Sequence, residues 1–338
     1  MIQQALQRLL DGHDLGREET RDVMGEIMRG EATPAQIGGF LVALRAKGET
    51  PDEIAGCAEA MRGHVLAVRP EREDLVDTAG TGGDGARTIN ISTAAALVAA
   101  AAGAAVAKHG NRAVSSACGS ADVLEALGFE LEQEPARIAR SIDELGFGFL
   151  FAPSHHPAMR HAAPVRKELA TRTVFNVLGP LTNPAGARAQ VLGVYSPDLV
   201  RTLADVLARL GARRAFVVHG AGGLDELSPV GPNLVCEVVE GAVHERQIDP
   251  LELGIPRCSA SDLQGGSPER NAEAVRGVLA GGDGPVRDAV LLNAAGAIAA
   301  AGHAADLGEG LELARQAVDS GAAAERLEAL AAYSRSDA

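Results

Sequence analysis

Hydrophobic positions in the first 68 residues recur at the spacing of amphipathic helices. One face of the first predicted helix carries Ile2, Leu6, Leu9 and Leu10. Two more helices are predicted to begin at Thr33 and Thr50, because each threonine is followed at once by proline and three residues on by glutamine or glutamate. The pattern predicts an all-helical region that ends in a polar hinge at residues 69–74.

From residue 75 onward the pattern changes to short apolar runs that alternate with helices. Seven strands are predicted, at Leu75–Thr78, Ala104–Ala107, Gly148–Ala152, Val191–Tyr195, Ala215–His219, Leu234–Val239 and Val243–Ile248. The last two flank Glu240-Gly241 and predict a hairpin. Helices are predicted to begin at Ser120, Glu134, Ser196 and Ser267. This alternation predicts an α/β fold with a mainly parallel central sheet flanked by helices, in which ligands bind at the carboxyl ends of the strands.

Composition and charge narrow the class of protein. The chain has 338 residues, 46% of them hydrophobic, and a net charge of −14. Such an acidic chain does not attract nucleic acid or an anionic membrane through its overall field, so we expect neither partner. The longest apolar run, residues 94–107, is too short to span a bilayer, and the N-terminus lacks the layout of a signal peptide. A cytoplasmic protein with free cysteines is expected.

A glycine-rich loop follows the first predicted strand. It reads Gly80-Thr81-Gly82-Gly83-Asp84-Gly85, and Ser92 or Thr93 can cap the alanine-rich helix behind it. A helix start of this kind favours phosphate binding. The dinucleotide fingerprint also fits the glycines, but it requires an acidic residue after the next strand, where this chain has Lys108. A P-loop is excluded because no Gly-Lys-Ser/Thr follows, and a plain connecting turn remains the structural alternative.

A cationic segment follows the second predicted strand. It reads Lys108-His109-Gly110-Asn111-Arg112. We predict that this segment and the glycine-rich loop meet at one edge of the sheet. Together they would form a pocket for a strongly anionic ligand, most simply a phosphorylated small molecule.

Two adjacent carboxylates, Asp225 and Glu226, follow the fifth predicted strand. They favour a hard divalent cation such as Mg²⁺, because Mg²⁺ commonly takes one or two carboxylates and leaves other positions to phosphates and water. The alternative is a solvated surface pair, which would be preferred if the pair stood alone.

Two other groups of side chains are ambiguous. Arg166, Lys167 and Arg172 could grip a carboxylate in a two-point fashion or could form a basic helix surface. His155 and His156 could ligate a metal, but no third ligand stands at a fitting interval, so packing or substrate contact is favoured.

Several segments, in order over nearly the whole chain, resemble the anthranilate phosphoribosyltransferases. They are Gly80–Asp84, Asn90–Thr93, Lys108–Arg112, Val165–Lys167, Asn176–Pro184 and Leu224–Glu226. The glycine-rich loop by itself indicates only a wider group that includes pyrimidine nucleoside phosphorylases. The resemblance implies a small helical domain, formed by residues 1–70 plus about 165–188, and a larger α/β domain formed by residues 73–160 and 190–335. It also implies a homodimer joined through the helical domains.

The resemblance implies transfer of the phosphoribosyl group of phosphoribosyl pyrophosphate to the amine of anthranilate. The products are N-(5-phosphoribosyl)anthranilate and pyrophosphate, and this is the second step of tryptophan biosynthesis from chorismate. The sugar donor would contact Gly80, Gly83, Asp84, Thr88, Asn90, Ile91, Ser92, Thr93, Lys108, His109, Gly110, Asn111, Arg112, Ala113, Val114, Ser115, Ser116 and Ser120.

Roles in catalysis, acceptor binding and metal binding are carried over in the same way. The anthranilate would contact Gly80, Asn111, His156, Arg166 and Gly179, and two Mg²⁺ ions would be held by Ser92, Asp225 and Glu226. Catalytic roles would fall to His109, Asn111 and Arg166, with His109 as a candidate proton acceptor. Met159 stands where some family members would carry an aromatic residue. A nucleoside phosphorylase and an inactive, nucleic-acid-binding relative are the rival hypotheses.

Overall fold

The fold was analysed in a computed structural model that describes residues 1–113 and 117–336. The first four α-helices within these ranges are α1 (Ile2–Leu10), α2 (Arg17–Met28), α3 (Pro34–Lys47) and α4 (Pro51–Arg62). The next seven are α5 (Ile91–Ala101), α6 (Ser120–Ala126), α7 (Pro135–Leu145), α8 (Ala152–His155), α9 (Ala163–Leu169), α10 (Phe175–Leu178) and α11 (Asp198–Arg209). The last four are α12 (Pro268–Leu279), α13 (Pro285–Ala301), α14 (Leu307–Asp319) and α15 (Ala322–Arg335).

The described strands form one sheet. They are β1 (Leu75–Gly80), β2 (Ala105–Gly110), β3 (Phe147–Phe151), β4 (Ala189–Gly193), β5 (Arg214–His219), β6 (Asn233–Val239) and β7 (Ala242–Ile248). Their order is β3-β2-β1-β4-β5-β6-β7, with β1 to β5 parallel and β6 and β7 antiparallel. The chain moves outward on one side of β1 and returns to its other side as β4. This reversal creates a crevice at the carboxyl ends of β1 and β4, where α/β sheets bind ligands.

The predicted α/β fold with a mainly parallel sheet is confirmed, and each predicted strand overlaps a strand of the structure. The hairpin is also confirmed, because Glu240 and Gly241 both have positive φ, at 47° and 85°, between β6 and β7. One boundary was wrong. Lys108 and His109 were assigned to a loop, but β2 continues through both because they pair with Phe149 and Leu150 of β3.

The N-terminal region is helical as predicted, and both capping boxes form. The Thr33 and Thr50 side chains accept hydrogen bonds from Gln36 N and Glu53 N. The predicted apolar face of α1 is wrong in part. Leu10 is 66% exposed, while Ile2 and Leu9 are buried.

Apolar packing relates the helical region to the sheet. Side chains of α1 to α4 share one hydrophobic cluster with Val165, Phe175 and Leu181. The same cluster continues into α11 and one face of the sheet, whereas α5 and α13 cover the other face. This packing agrees with the predicted assignment of residues 165–188 to the helical domain, which stays a prediction.

The two chain segments that link the helical region to the sheet run side by side. Val68 N donates a hydrogen bond to Pro184 O at 3.1 Å, which joins the first crossing to the second. Among the described helices, none has the length and apolar character needed to cross a membrane.

Candidate active site

Polar groups converge at the carboxyl ends of the parallel strands, as predicted for the two loops. The ammonium of Lys108 on β2 donates to the carbonyl oxygen of Thr78 on β1. Gly82 N, in the loop after β1, donates to Oδ2 of Asp225 in the loop after β5, at 2.7 Å. Loops that are far apart in the sequence therefore form one surface, which we call the sheet wall: residues 78–90, 108–111 and 225–226.

The carboxylates of Asp225 and Glu226 are held in place by hydrogen bonds from other segments of the sheet edge. Ser92 N donates to Glu226 Oε1 at 2.9 Å, and Asp84 Oδ2 lies 3.4 Å from Asp225 N. Burial, followed by repulsion from Asp84, raises the pKa of Asp225 to about 7. Burial and repulsion from Asp225 raise the pKa of Glu226 well above its usual value. The alternative of a solvated surface pair is therefore wrong, because these carboxylates sit close together and are largely withdrawn from water.

Glycines leave the space that Asp225 occupies. A Cβ on Gly80 would lie 2.3 Å from Asp225 Oδ2, and a Cβ on Gly193 would lie 1.4 Å from the Asp225 carbonyl oxygen. Gly193 ends β4 and was missed in the sequence, where the only signal was a glycine within the predicted strand Val191–Tyr195. Asn293 was also missed. Its amide bonds both Leu227 N and Leu227 O, and it is an isolated polar residue in the apolar helix α13.

The start of α5 differs from the prediction. The N-cap is Asn90, so the expectation that Ser92 or Thr93 caps the helix is wrong. The N–H groups of Ile91 and Thr93 bond to Ile89 O and Asn90 O, and Ser92 N bonds to Glu226. The protein's own carboxylate therefore occupies the anion position at this helix start. Ile91 and Thr93 are fully buried, so their side chains cannot contact a ligand in the cleft.

Free backbone donors lie instead in the glycine-rich loop. The N–H groups of Gly83, Asp84 and Gly85 form no hydrogen bond with the described residues, and both glycines have positive φ. Arg172 Nη2 donates to Gly83 O at 2.7 Å, and its guanidinium carbon lies 3.7 Å from the centre of the Tyr195 ring. An arginine beyond α9 therefore holds the loop whose N–H groups are free to bind an anion.

Beneath the loops lies a buried charged pair of β1 and β2. Lys108 is 2% exposed, and burial lowers its pKa to about 8 despite the attraction of Asp77. Burial raises the pKa of Asp77 to about 6, although the carboxylate accepts hydrogen bonds from His109 N at 3.1 Å and Asn183 Nδ2 at 2.8 Å. This hydrogen-bond network fixes the positions of Lys108 and His109 at the carboxyl edge of the sheet.

Two other residues predicted to contact the sugar donor, Asn90 and Thr88, make contacts within the protein. Asn90 Nδ2 donates to Cys118 O, and Asn90 Oδ1 accepts from Asn271 Nδ2 at 2.9 Å, so this side chain holds Cys118, which lies just before α6. Thr88 forms an isolated β-bridge with Gln264, and nearby Gly266 N donates to Oδ1 of the same Asn271 on α12.

The segment that follows β2 departs from the prediction in part. Ser120 Oγ holds the backbone of Asn111, and a Cβ on Gly110 would lie 2.2 Å from that Oγ. Arg112 forms ion pairs with Glu125 and Asp122, and Ala113 N donates to the Asp122 carboxylate. Neither group is therefore free to bind the sugar donor. Val114, Ser115 and Ser116 lie outside the described residues.

A cavity of about 510 Å³ lies between His109 and Asn111 of the sheet wall and a second surface. The lining includes Met61, His109, Asn111, His156, Met159, Arg160, Arg166, Phe175, Gly179 and Thr182. We call residues 156–179 of this lining the helical wall. The half-buried Arg166 has no ion pair within the described residues, and its guanidinium carbon lies 5.0 Å from the centre of the Phe175 ring. Burial lowers its pKa, so an anionic partner is missing from its surroundings.

Two buried histidines join the walls. His109 Nδ1 lies 3.1 Å from Gly179 O, and His109 Nε2 lies 3.1 Å from His156 Nε2. Burial lowers the pKa of His109 to about 3 and that of His156 to about 4, so both are neutral at pH 7. A carbonyl oxygen can only accept, so His109 carries its proton on Nδ1 and its Nε2 accepts from His156. The predicted proton-acceptor role of His109 is disfavoured, because this lone pair is already used.

The three predicted metal-binding residues lie together. Ser92, Asp225 and Glu226 line a small cavity of about 10 Å³, roughly the space of one water molecule. In the described part of the chain, no group of three or more His, Cys, Asp or Glu side chains has the arrangement of a protein-only metal site. Two carboxylates and a hydroxyl are hard oxygen donors, which fit Mg²⁺ when phosphate oxygens and waters complete its shell.

Comparisons with known proteins agree with this geometry. Residues 3–65 match the helical bundle domain of a glycosyl transferase family, and residues 72–324 match its α/β domain. An anthranilate phosphoribosyltransferase of Anaeromyxobacter sp. (strain Fw109-5) is 56% identical over 338 residues, covering 100% of both chains.

Solved structures show the same similarity. The anthranilate phosphoribosyltransferase of Thermus thermophilus is 52% identical with a TM-score of 0.93, over 98% of this chain and 99% of the other. That of Saccharomyces cerevisiae, solved in complex with PRPP and Mg, is 29% identical with a TM-score of 0.90, over 98% and 97%. The same yeast protein in complex with 4-fluoroanthranilate is 28% identical with a TM-score of 0.88, over 98% and 97%.

Proposed function

The chain belongs to the anthranilate phosphoribosyltransferase family, and we propose that its cleft carries out that transfer with the help of Mg²⁺. The phosphoribosyl group of phosphoribosyl pyrophosphate passes to the amine of anthranilate, giving N-(5-phosphoribosyl)anthranilate and pyrophosphate in tryptophan biosynthesis. One observation carries the proposal: His109 and Asn111 of the sheet wall line the same cavity as Arg166, which has no ion-pair partner within the described residues. Arg172, just beyond α9, also donates to Gly83 O of the glycine-rich loop.

The sheet wall suits the sugar donor. Its free donors are the N–H groups of Gly83, Asp84 and Gly85, which can bind phosphate oxygens without side chains in the way. Lys108 adds a positive charge just below the loop. These groups are fixed before the reaction, so they can stabilise the charge that develops on the departing pyrophosphate without reorganising.

The helical wall suits the acceptor. The forked guanidinium of Arg166 can bind the carboxylate of anthranilate in a two-point fashion, while Phe175 and Met159 offer apolar surface to its ring. Asn111 Oδ1 accepts from Arg112 N, which leaves the Asn111 amide hydrogens for the acceptor. Neutral His109 and His156 form an uncharged polar floor. Because an aromatic amine is already neutral at pH 7, positioning contributes more than a strong base would.

Support for Mg²⁺ comes from the donor set and from the yeast relative in complex with PRPP and Mg. When bound, Mg²⁺ would neutralise charge on the pyrophosphate as it leaves. We propose two ions. Asp225, Glu226 and Ser92 would supply the protein oxygens, and repulsion between the buried carboxylates favours a cation between them.

The direct test follows the fluorescence of anthranilate. We expect it to fall when phosphoribosyl pyrophosphate and Mg²⁺ are added to the protein, and to stay constant when EDTA is present from the start. Loss of fluorescence with EDTA would remove the Mg²⁺ assignment. Constant fluorescence in the complete mixture, with release of pyrimidine from uridine and phosphate, would favour the nucleoside phosphorylase alternative instead.

We also propose a homodimer joined through the helical domain. Leu10 of α1 and Val42 of α3 are 66% and 44% exposed, on helices that pack against each other. Exposed large apolar side chains on neighbouring helices favour a self-complementary contact. Light scattering should give twice the chain mass for the wild type and a smaller species for Leu10→Asp with Val42→Asp. A wild-type mass equal to one chain would contradict the dimer. The predicted cytoplasmic location stays a prediction.

A further inference from the structure

A second large cavity lies at the other end of the sheet, with a volume of about 680 Å³. Its lining includes Leu75, the first residue of β1, together with Arg188 and Arg213, which immediately precede β4 and β5. These positions mark the amino ends of the strands. The cavity is therefore separate from the active site, which occupies the carboxyl ends.

Arginines dominate this cavity. They are Arg62, Arg69, Arg72, Arg188 and Arg213, and we call the space between them the arginine cavity. Arg72 is paired with Asp74, but the other four form no ion pair within the described residues. Glu73 is the one acidic side chain of the lining. In a chain with a net charge of −14, such a concentration of positive charge opposes the overall field.

Hydrogen bonds within the protein use only some of the N–H groups of these arginines. Arg62 Nε donates to Leu181 O at 2.7 Å, Arg188 Nε to Gly211 O at 3.0 Å, and Arg213 Nη2 to Ala301 O at 3.0 Å. The last two contacts satisfy carbonyl groups at or just beyond the ends of α11 and α13. Each guanidinium has five N–H donors, so most of them remain for another partner.

The arrangement favours an extended anion over a single phosphate. One phosphate group can accept a two-point contact from one or two arginines, whereas four arginines without an ion pair within the described residues line this space. The volume is also within the range of small-molecule sites. We propose that the arginine cavity binds a compact phosphate chain with three or more negative charges, as in inorganic tripolyphosphate or a nucleoside triphosphate.

The position of the cavity adds a consequence for stability. Its lining includes residues 65–73 and 183–188, the two crossings between the helical region and the sheet, which Val68 and Pro184 already join. A bound anion would contact both crossings at once. Binding to the folded chain alone raises the melting temperature, by an amount that grows with ligand concentration.

The test uses calorimetric titration of the full-length protein with sodium tripolyphosphate in buffer without Mg²⁺. We expect saturable binding to one site per chain, and an affinity at least about tenfold weaker in Arg69→Ala with Arg188→Ala. The matched control is Arg201→Ala with Arg315→Ala, which removes the same charge from one exposed and one partly exposed helix position outside this lining. Its affinity should stay within about twofold of the wild type.

Additional titrations distinguish binding at this site from binding at the active site. Saturation with phosphoribosyl pyrophosphate and Mg²⁺ should leave tripolyphosphate binding intact, because the two sites lie at opposite ends of the sheet. ATP without Mg²⁺ tests the source: tighter binding than tripolyphosphate assigns a nucleotide, and equal binding assigns the phosphate chain alone. Arg69→Ala by itself, at an exposed position, serves if the double variant fails to fold.

Three results would overturn the proposal. They are the absence of saturable binding, equal affinity in wild type and the arginine variants, and displacement by the sugar donor. None of them bears on transferase activity, which the fluorescence assay measures independently.

Discussion

The two walls of the cleft are built on opposite principles. On the sheet wall, the carboxylates of Asp225 and Glu226 accept hydrogen bonds from Gly82 N and Ser92 N, which join the loop after β5 to the loop after β1 and to the start of α5. On the helical wall, Arg166 has an aromatic neighbour but no ion-pair partner within the described residues. In the proposed assignment, the donor side is organised by the protein's own contacts, whereas the charge of Arg166 on the acceptor side has no ion-pair partner within the described residues and is left for the ligand.

The largest effect is expected on the sheet wall. Asp225→Asn with Glu226→Gln should lower kcat by at least about a thousandfold at saturating Mg²⁺, because amide oxygens bind a hard cation poorly and cannot balance its charge. The melting temperature without Mg²⁺ should be unchanged or higher, since two mutually repelling buried charges are removed. Steady-state kinetics and calorimetry measure the two quantities.

The matched control for this variant is Asp283→Asn with Glu328→Gln, the same chemical change at exposed positions. Its kcat should equal that of the wild type. Retention of Mg²⁺-dependent turnover in the Asp225 and Glu226 variant would show that the acidic pair has no part in catalysis.

A smaller effect with a different signature is expected on the helical wall. Arg166→Ala should raise the KM for anthranilate by about 10- to 100-fold, the value of a lost charge-assisted pair, and leave the KM for the sugar donor unchanged. Lys167→Ala, the exposed neighbour on α9, is the control and should change neither constant. If both KM values rose together in Arg166→Ala, the division of labour between the walls would fail.

The last prediction concerns stability rather than turnover, and it involves the histidines between the walls. Because burial depresses the pKa of His109 to about 3 and of His156 to about 4, the unfolded chain binds protons first as the pH falls below the ordinary value of 6.5. The free energy of unfolding should therefore decrease as the pH falls from about 6.5 toward 4, by up to about 1.4 kcal/mol per pH unit for each histidine.

Urea unfolding at several pH values measures this dependence. His109→Asn with His156→Gln should flatten it, whereas His13→Gln at an exposed position should not. Asp77 acts in the opposite sense between its ordinary value of 3.8 and about 6, so the comparison with the histidine variant is needed. Equal slopes in wild type and the double variant would show that the histidines are not buried in neutral form.

Most helices and strands could be predicted because their signals depend on interactions between residues that are close in the sequence. The capping boxes at Thr33 and Thr50 and the hairpin at Glu240-Gly241 depend only on neighbouring residues, and all of them form. The extent of β2 was wrong because Lys108 and His109 are stabilised in the sheet by partners on β1. Those partners cannot be read from the residues next to them.

The residues of the candidate site also fall into those with a local sequence signal and those whose role depends on distant partners. Gly80, Asp225 and Glu226 could be selected as candidates because glycine-rich and acidic loops after strands indicate anion and cation binding without further context. Gly193 could not be identified, since its role is the 1.4 Å clash that a Cβ would make with the carbonyl oxygen of Asp225. The position of Arg112 was also unpredictable, because Asp122 and Glu125 that engage it lie on α6, which the sequence placed but could not orient.

The central claim, that the sheet wall binds the metal and the donor while the helical wall binds the acceptor, can be tested in one crystal. Mn²⁺ in place of Mg²⁺, soaked in with phosphoribosyl pyrophosphate, gives an anomalous signal at each metal position. The account predicts two peaks within coordination distance of Asp225, Glu226 or Ser92 and of the donor's phosphates. Peaks at His109 and His156, or none beside the acidic pair, would contradict it.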